Sequence, residues 1–191
     1  MHKLESDWTF YYYKQEENKD YQLCINKIGK FSTCEDFWAY YSHIKKPDQL
    51  QSVSLQIFRN DSRAVWEDEE NQNGGSFLII VNKTLVNLVW EILVLNLIGE
   101  QFPSDVSGIV VAQKKKDYNI QIWQKTNDLS LRLQIATVLM KVLNLPVGSE
   151  LEYISNQYKM NRKVKNFEQY IIRKEEGKED LVPVLTKKIS K

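Results

Sequence analysis

The chain has 191 residues, of which 42% are hydrophobic and 27% charged, with a formal net charge of +1. This composition indicates a globular domain with room for a core, and it excludes disordered, fibrous and strongly polyanion-coating proteins. The two cysteines, Cys24 and Cys34, are too few for a disulfide-stapled secreted domain and form no zinc-binding pattern. We therefore expect a reduced, intracellular setting, with neither a metal nor a cofactor.

Six stretches are predicted to be strands because they alternate apolar and polar residues or form short apolar runs. In chain order they are WTFYYY, QLCINKI, VSLQIF, FLIIV, GIVVAQ and YNIQIW, and KKKDYN is the expected hairpin between the last two. Helical spacing predicts three helices, roughly over residues 33–44, 85–98 and 129–143. The order of these elements predicts an α+β fold, a mainly antiparallel sheet covered by helices on one face.

The ends of the three helices carry recognisable signals. Ser32 and Glu35 have the spacing of a capping box at the start of the first helix. The second helix is expected to stop at Gly99, where a left-handed cap costs glycine little, and the third before Asn144 and Pro146. The second helix is also the most apolar segment of the chain. Its polar residues argue against a membrane span, and the N-terminus lacks a signal-peptide pattern.

The charge is unevenly distributed along the chain. From Lys159 onwards ten Lys or Arg residues stand against five acids, which gives this tail +5 and the rest −4. We therefore expect a single domain over residues 1–158 and a basic segment over 159–191 that is ordered only in part. The segment is either a contact for polyphosphate or RNA or simply a solvated end. NFEQYIIR within it has the pattern of a short helix or strand.

Three tryptophans stand in unexpected positions. Trp66 precedes Glu67 and three further acids, so the stretch is either a surface turn or a ring and carboxylate that bind a flat ligand. Period-two alternation places Trp123 on the polar face of its strand, either open to solvent or packed against a loop. Cys34 and Trp38 lie on the flank of the first helix, where a tryptophan is either partly buried filler or a docking site.

The blocks KFSTCEDFWAYYSHI, VWEDEENQNGGSFLIIVNK and LIGEQF, with GIVV followed by IQIW, occur in this order along the chain. Together they resemble the eukaryotic translation initiation factor 4E family, the mRNA cap-binding proteins, from about Trp8 to Pro146. The resemblance implies a curved antiparallel sheet with three helices on its convex face. It also implies a site for 7-methylguanosine on the concave face.

The resemblance assigns a role to each residue of this cap site. Trp66 matches one stacking ring, Glu67 the carboxylate that reads the guanine edge, and Trp123 the ring near the N7-methyl group. Tyr21 falls where the family usually has a second stacking tryptophan and is similar in this to the 4E homologous protein branch, which has a tyrosine there. The implied cap-binding set is Tyr21, Trp66, Glu67, Lys114, Lys116 and Trp123, in which the two lysines hold the triphosphate.

Several positions depart from the family pattern. Lys114 stands where an arginine is usual, Asn119 where a lysine is usual, and Ser76 where many members have an arginine. The triphosphate site thus has fewer or weaker cationic contacts, since lysine lacks the bidentate grip of arginine. We expect a weaker affinity for the cap than that of a standard initiation factor.

A second surface is implied on the side of the helices. Trp38 matches the dorsal tryptophan that receives a Tyr-x-x-x-x-Leu-hydrophobic helix from the scaffold initiation factor 4G or from 4E-binding proteins. Glu91 replaces a leucine of the initiation-factor branch, and His2 begins a His-Pro element that lacks its proline. The expected partner-binding set is His2, Cys34, Trp38, Glu91, Leu95 and Ile98. The stripe of the second helix, however, has an alternative interpretation as ordinary core.

The leading interpretation is a monomeric cytoplasmic protein that binds capped mRNA, with 7-methyl-GTP as its ligand, and links it to a scaffold. No P-loop, nucleophile elbow or HExxH motif indicates an enzyme. One alternative is a cap-binding translational repressor of the 4E homologous protein type. The others are a protein-interaction module that has lost cap binding and a general RNA-binding protein that uses the basic tail.

Overall fold

The computed structural model describes residues 1–160, 169–174 and 181–186. Four helices lie in this part of the chain: α1 (Cys34–Tyr41), α2 (Val86–Ile98), α3 (Leu129–Val142) and the short α4 (Asn156–Met160). The strands of the same part are β1 (Lys3–Lys14), β2 (Ile25–Thr33), β3 (Val53–Arg59), β4 (Gly75–Val81), β5 (Val106–Lys114), β6 (Asp117–Gln124), β7 (Glu150–Ser155), β8 (Gln169–Lys174) and β9 (Leu181–Thr186). The predicted α+β class, with an antiparallel sheet and three main helices, is confirmed.

The observed elements differ from the prediction at a few boundaries. Tyr21–Cys24 forms a 3-10 turn before β2 rather than the start of that strand. Helix α1 ends at Tyr41 instead of Ile44: Ser42 still donates to the Trp38 oxygen, but the next N–H group, that of His43, bonds to the Tyr40 oxygen at 3.0 Å in a tighter turn. Strands β7 and β9 were not predicted. Of the stretch left open as helix or strand, residues 169–173 lie in β8, and residues 166–168 lie outside the described part of the chain.

Two compact units make up the chain. The first contains residues 1–64, 80–101 and 107–120, and its strands follow the order β2-β1-β3-β5, then the first half of β6. Strand β1 pairs antiparallel with β2 and with β3, so that Trp8 lies opposite Phe31 on one side and Arg59 on the other. The second unit contains the remaining segments, and its strands follow the order β6-β4-β7-β8-β9. The division into a domain of residues 1–158 and a tail stays a prediction.

The first unit has an aromatic core. Phe10 and Phe31 are fully or almost fully buried, with ring centroids 5.2 Å apart, and Phe37 of α1 lies 5.5 Å from Phe31. Arg59 stacks over the Trp8 ring at 4.5 Å and forms a bidentate ion pair with Glu100, both hydrogen bonds being 2.8 Å long. The guanidinium is thus shielded from water by the Trp8 ring and paired with the Glu100 carboxylate. A largely buried arginine requires such partners, because its charge is costly to bury alone.

The capping box predicted at Ser32 and Glu35 is wrong by one residue. Thr33 is the N-cap of α1, and its hydroxyl oxygen accepts from the main-chain N–H of Asp36 at 3.1 Å. Gly99 ends α2 as predicted, but its φ of −84° is not left-handed. The left-handed residue is Glu100, with φ of 53°, which the ion pair with Arg59 holds in place. The end of α3 before Asn144 agrees with the prediction.

Candidate functional site

The loop that carries Trp66 and Glu67 is held by a buried amide. Asn71 is completely buried, and its side-chain Nδ2 donates to the main-chain oxygen of Val65 at 2.8 Å. Its own main-chain oxygen accepts from Asn156 Nδ2 at 2.8 Å and from the N–H of Gly74 at 3.0 Å. These bonds satisfy buried polar groups and place Trp66, the next residue after Val65, in one conformation.

Gly74 lies at a close contact between segments of this unit. A side-chain carbon at this position would overlap the main-chain oxygen of Gln124, the residue after Trp123. The oxygen of Gly74 accepts from the N–H of Asn156 at 2.8 Å. The Asn-Gly-Gly stretch, which has the composition of a surface turn, is therefore needed for close packing of the loop against β6 and α4.

We expect Asn71→Ala to destabilise the protein by about 1–3 kcal/mol, because the buried Val65 oxygen loses its donor. Loss of this anchor also frees Trp66, so nucleotide affinity should fall as well. Urea unfolding and tryptophan fluorescence measure the two effects. Asn73→Ala is the matched control, since Asn73 is exposed and its amide oxygen only accepts from the exposed Gln157. Equal stability of the two variants would contradict the role of Asn71.

Trp66 and Trp123 share a cation. The Lys159 ammonium lies 5.9 Å from the centroid of the Trp66 ring and 5.1 Å from that of the Trp123 ring. Both distances are within the range at which a ring face attracts a positive charge. Trp123 is buried to all but 4% of its surface, so of its two predicted environments the packed one is observed. The two rings and the ammonium form what we call the two-tryptophan site.

Neutral oxygens complete the surroundings of this cation. Lys159 Nζ donates to the hydroxyl of the buried Ser76 at 2.8 Å and to Asn156 Oδ1 at 3.2 Å. Burial lowers the pKa of Lys159 to about 8. Where the sequence indicated only the loss of an arginine at Ser76, the fold brings in a lysine from α4. Sequence reasoning missed this role, because it counted Lys159 with the basic tail.

Glu67 is exposed and directly follows Trp66 of the two-tryptophan site in the sequence. Its main-chain oxygen accepts from Gln72 Nε2 at 2.8 Å, while its side chain is exposed. Of the acids that follow, Glu70 pairs loosely with Lys125 at 4.0 Å and Glu69 is exposed. The carboxylate of Glu67 is thus accessible to a ligand. Glu69 and Glu70 are solvated as expected, whereas Asp68 is only partly exposed. The main-chain oxygen of Asp68 accepts from the N–H groups of Asn71 and Gln72.

The other residues predicted for the cap site belong to the first unit. Tyr21 opens the 3-10 turn with 37% of its surface exposed, and its ring lies 4.6 Å from that of Tyr13 at an angle of 34°. Lys114 ends β5 and Lys116 precedes β6, so the predicted hairpin is confirmed. Lys115 between them takes a left-handed φ of 55°. The contributions of Tyr21, Lys114 and Lys116 to ligand binding stay predictions.

The predicted partner surface contains exposed and buried members. Trp38 is 48% exposed and meets the buried Phe37 edge-on, at a centroid distance of 4.9 Å and an angle of 66°. Leu95 is 37% exposed, whereas Ile98 retains only 7% exposure and belongs to the core. The stripe on α2 is therefore part surface and part core. Its role in partner binding stays a prediction.

Glu91 has a partner within the first unit. Burial raises the pKa of Tyr41, and the charge of Glu91 and a hydrogen bond to its carboxylate act in the same direction. Tyr41 also meets Trp38 edge-on, with centroids 5.8 Å apart. The carboxylate of Glu91 thus acts on a tyrosine hydroxyl close to the exposed tryptophan.

His2 is tied to the start of α1. Its main-chain N–H donates to both carboxylate oxygens of Glu35, at 3.1 and 2.9 Å, and its oxygen accepts from the N–H of Cys34 at 2.8 Å. The imidazole Nδ1 lies 2.9 Å from the same carboxylate. These hydrogen bonds, chiefly the one from the His2 main chain, lower the pKa of Glu35 to about 2. His2 therefore completes the N-terminal cap of the helix that carries Trp38.

Other kinds of site find little support in the part of the chain that the structure describes. Among its residues, no group of His, Cys, Asp and Glu side chains is arranged to hold a metal ion. No described helix is long and apolar enough to cross a membrane. The fold and the two-tryptophan site define a small α+β protein whose most distinctive feature is an aromatic site that attracts a cation.

Comparison with known proteins identifies the family. The model of the family described as "Eukaryotic initiation factor 4E" matches residues 3–171. Eukaryotic translation initiation factor 4E-1 of Caenorhabditis elegans is 33% identical over 152 residues, which cover 75% of this chain and 72% of that protein. The Bos taurus eukaryotic translation initiation factor 4E is 37% identical over 164 residues, covering 81% and 76%. The chain therefore belongs to the eukaryotic initiation factor 4E family, as its sequence motifs predicted.

A solved structure supports the same assignment. The complex of Caenorhabditis elegans eIF4E-3 with the 4E-binding protein Mextli and a cap analog superimposes with a TM-score of 0.78. The sequences are 29% identical, and the match covers 83% of this chain and 95% of that one. The shared fold thus extends over almost the whole of a protein whose structure contains a cap analog and a binding partner.

Proposed function

We propose that this chain binds the 7-methylguanosine cap of mRNA and acts in translation initiation by linking capped mRNA to a scaffold protein. The observation that carries the proposal is the pair of rings, Trp66 and Trp123, which already attract a shared cation at 5.9 and 5.1 Å. Methylation at N7 makes guanine a flat cation, and electron-rich ring faces bind such a base more tightly than a neutral one.

The guanine edge is the second element of recognition. Guanine presents N1–H and N2–H₂ donors on its Watson–Crick edge, and an ionised carboxylate accepts both, whereas adenine offers no such pair. Glu67 directly follows Trp66 and exposes its carboxylate. We assign Glu67 to this edge, Tyr21 to the second stacking face, and Lys114 and Lys116 to the phosphates.

Relatives support this function. A structure of Caenorhabditis elegans eIF4E-3 contains a cap analog and the 4E-binding protein Mextli. By likeness, the partners of this chain are capped mRNA and proteins that present a Tyr-x-x-x-x-Leu-hydrophobic helix. We further propose that it acts by binding rather than as an enzyme, and that it works in the cytoplasm, where capped mRNA is translated.

A fluorescence titration with 7-methyl-GTP and GTP tests the proposal. Stacking on Trp66 and Trp123 should quench tryptophan emission, and the methylated nucleotide should bind more tightly than GTP. Quenching that is equally weak with both nucleotides would favour a protein-interaction module that has lost the cap. Affinity that ignores the cap and falls steeply with salt would instead indicate general RNA binding.

A second candidate is a cap-binding translational repressor. The observation in its favour is Glu91, whose carboxylate acts with burial to raise the pKa of Tyr41 near Trp38 and places a charge where the initiation-factor branch has leucine. A repressor would bind the cap without recruiting the scaffold. Binding of a scaffold-derived peptide with the Tyr-x-x-x-x-Leu-hydrophobic motif separates the two candidates.

We expect Trp38→Ala to weaken binding of such a peptide and to leave nucleotide affinity unchanged, since the half-exposed indole supplies apolar contact area in the first unit. A loss of roughly 2 kcal/mol is typical of a tryptophan anchor at an interface. Isothermal titration with the peptide and with 7-methyl-GTP measures both effects. Leu85→Ala, an exposed apolar residue just before α2, is the control. Unchanged peptide affinity would place the partner surface elsewhere.

A further inference from the structure

The side chain of Lys159 is the least expected feature of the two-tryptophan site. A ligand with a cationic base and a polyanionic tail needs an open ring face, yet the face region of both rings already holds an ammonium. Hydrogen bonds to Ser76 and Asn156 keep it there. The lysine is therefore placed in the site rather than projecting into solvent.

We propose that Lys159 is a specificity-determining residue, whose ammonium occupies the cation position of the two-tryptophan site and competes with a positively charged base. The inference rests on the proposed cap-binding function. When 7-methylguanine binds, the ammonium must move away, remain close and repel the base, or lose its proton and stay as a neutral amine. A neutral guanine is repelled less, so Lys159 lowers the ratio of the affinity for the methylated base to that for the unmethylated base.

In the part of the chain that the structure describes, the side chains in contact with the Lys159 ammonium carry no compensating charge. The loop, β4, β6 and α4 turn Trp66, Ser76, Trp123 and Asn156 towards the ammonium, and none of these side chains carries a charge. Solvent and salt screen a partly buried charge less than an exposed one. A second cation that enters the site therefore feels most of the charge of the first.

The protonation state of Lys159 is adjustable near neutral pH. Burial lowers its pKa to about 8, so a substantial part of the amine is neutral under mildly alkaline conditions. The four side chains that face it do not titrate in this range. Competition with a cationic base should accordingly weaken as the pH rises through the pKa of Lys159.

The test compares Lys159→Met with the unmodified chain. Methionine keeps an unbranched side chain and removes the charge. We expect the affinity ratio of 7-methyl-GTP to GTP to rise about three- to tenfold, the effect of one cation at an aromatic site. Lys159→Gln is the second variant, and Lys141→Gln on the exposed surface of α3 controls for the loss of one positive charge. The control should leave the ratio unchanged.

A pH series sharpens the comparison. The affinity of Lys159→Met for 7-methyl-GTP is divided by that of the unmodified chain at each pH. This quotient should fall towards one between about pH 7 and about pH 9, because the native lysine loses its proton. Taking this quotient cancels the ionisation of the nucleotide itself. A quotient that does not change with pH would contradict competition by charge.

Two outcomes overturn the proposal while leaving cap binding intact. One is an unchanged or lowered preference for 7-methyl-GTP in both variants, and the other is an equal loss of affinity for both nucleotides. The latter would make Lys159 a phosphate contact. If no form of the chain prefers 7-methyl-GTP, the proposed function fails. The position of Lys159 is then tested by the tryptophan emission of the free protein as a function of pH. A transition near pH 8 that is absent from Lys159→Met supports the position of Lys159 beside the rings, and emission that does not change with pH overturns the proposal.

Discussion

Replacing Trp66 with alanine should lower the affinity for 7-methyl-GTP by roughly 1–3 kcal/mol, or about 5- to 150-fold. The ring supplies one of the two aromatic surfaces of the site and lies 5.9 Å from the resident ammonium. Trp66 is only partly buried, so its truncation removes ligand contact without opening the core. Isothermal titration of the variant with 7-methyl-GTP measures the loss.

Trp38→Ala is the matched control for this result. It removes the same side chain from a half-exposed position of the first unit and should leave nucleotide binding unchanged. Trp66→Phe should recover part of the affinity, since a smaller ring still stacks. If Trp66→Ala binds 7-methyl-GTP as tightly as the unmodified chain, the base is held elsewhere and the proposed site is wrong.

Glu67→Ala should abolish the selectivity for guanine while the fold remains intact. The carboxylate is exposed and is held by the loop around Asn71 rather than by core packing. Each hydrogen bond to a charged acceptor contributes about 1.5–3 kcal/mol, so loss of the pair should also release the protein from cap resin. Glu67→Gln keeps the shape but turns one acceptor into a donor, and it should fail in the same way.

Glu69→Gln provides the comparison within the same loop. Glu69 is an exposed acid two residues further on, and its replacement should change neither resin binding nor selectivity. The pair of variants separates a specific hydrogen bond from a general effect of loop charge on a cationic ligand. Retention of Glu67→Ala on cap resin would count against the assignment of the guanine edge.

The surroundings of Ser76 illustrate why some of the site was hidden in the sequence. The family resemblance implied that Ser76 replaces an arginine, which predicted weaker binding. The fold places Lys159 2.8 Å from the Ser76 hydroxyl, across more than eighty positions in the chain. Neither helix periodicity nor charge counting connects residues so far apart, because their contact follows from the pairing of β4 with β7 and the turn into α4.

The partner surface shows a similar division. Helical spacing placed Trp38 on the flank of α1, and the exposed indole agrees with that geometry. The same spacing could not separate Leu95, which is exposed, from Ile98, which is buried, since α2 is apolar on nearly every side. The cap of α1 lies at Thr33 and Asp36 rather than at Ser32 and Glu35, which likewise reflects a tertiary contact. The Glu35 carboxylate, expected to take part in the cap, accepts a hydrogen bond from His2 instead.

The amino-acid sequence by itself determined the elements, the antiparallel α+β class, the family and the candidate pair of Trp66 and Glu67. Local periodicity and short blocks in register suffice for these features, because they depend on neighbours within a few residues. Only the tertiary structure decided that Asn71 anchors the loop, that Trp123 is buried and that Lys159 lies against both rings. In each of these features burial changes the energy of a polar or charged group, and burial is a property of the folded chain.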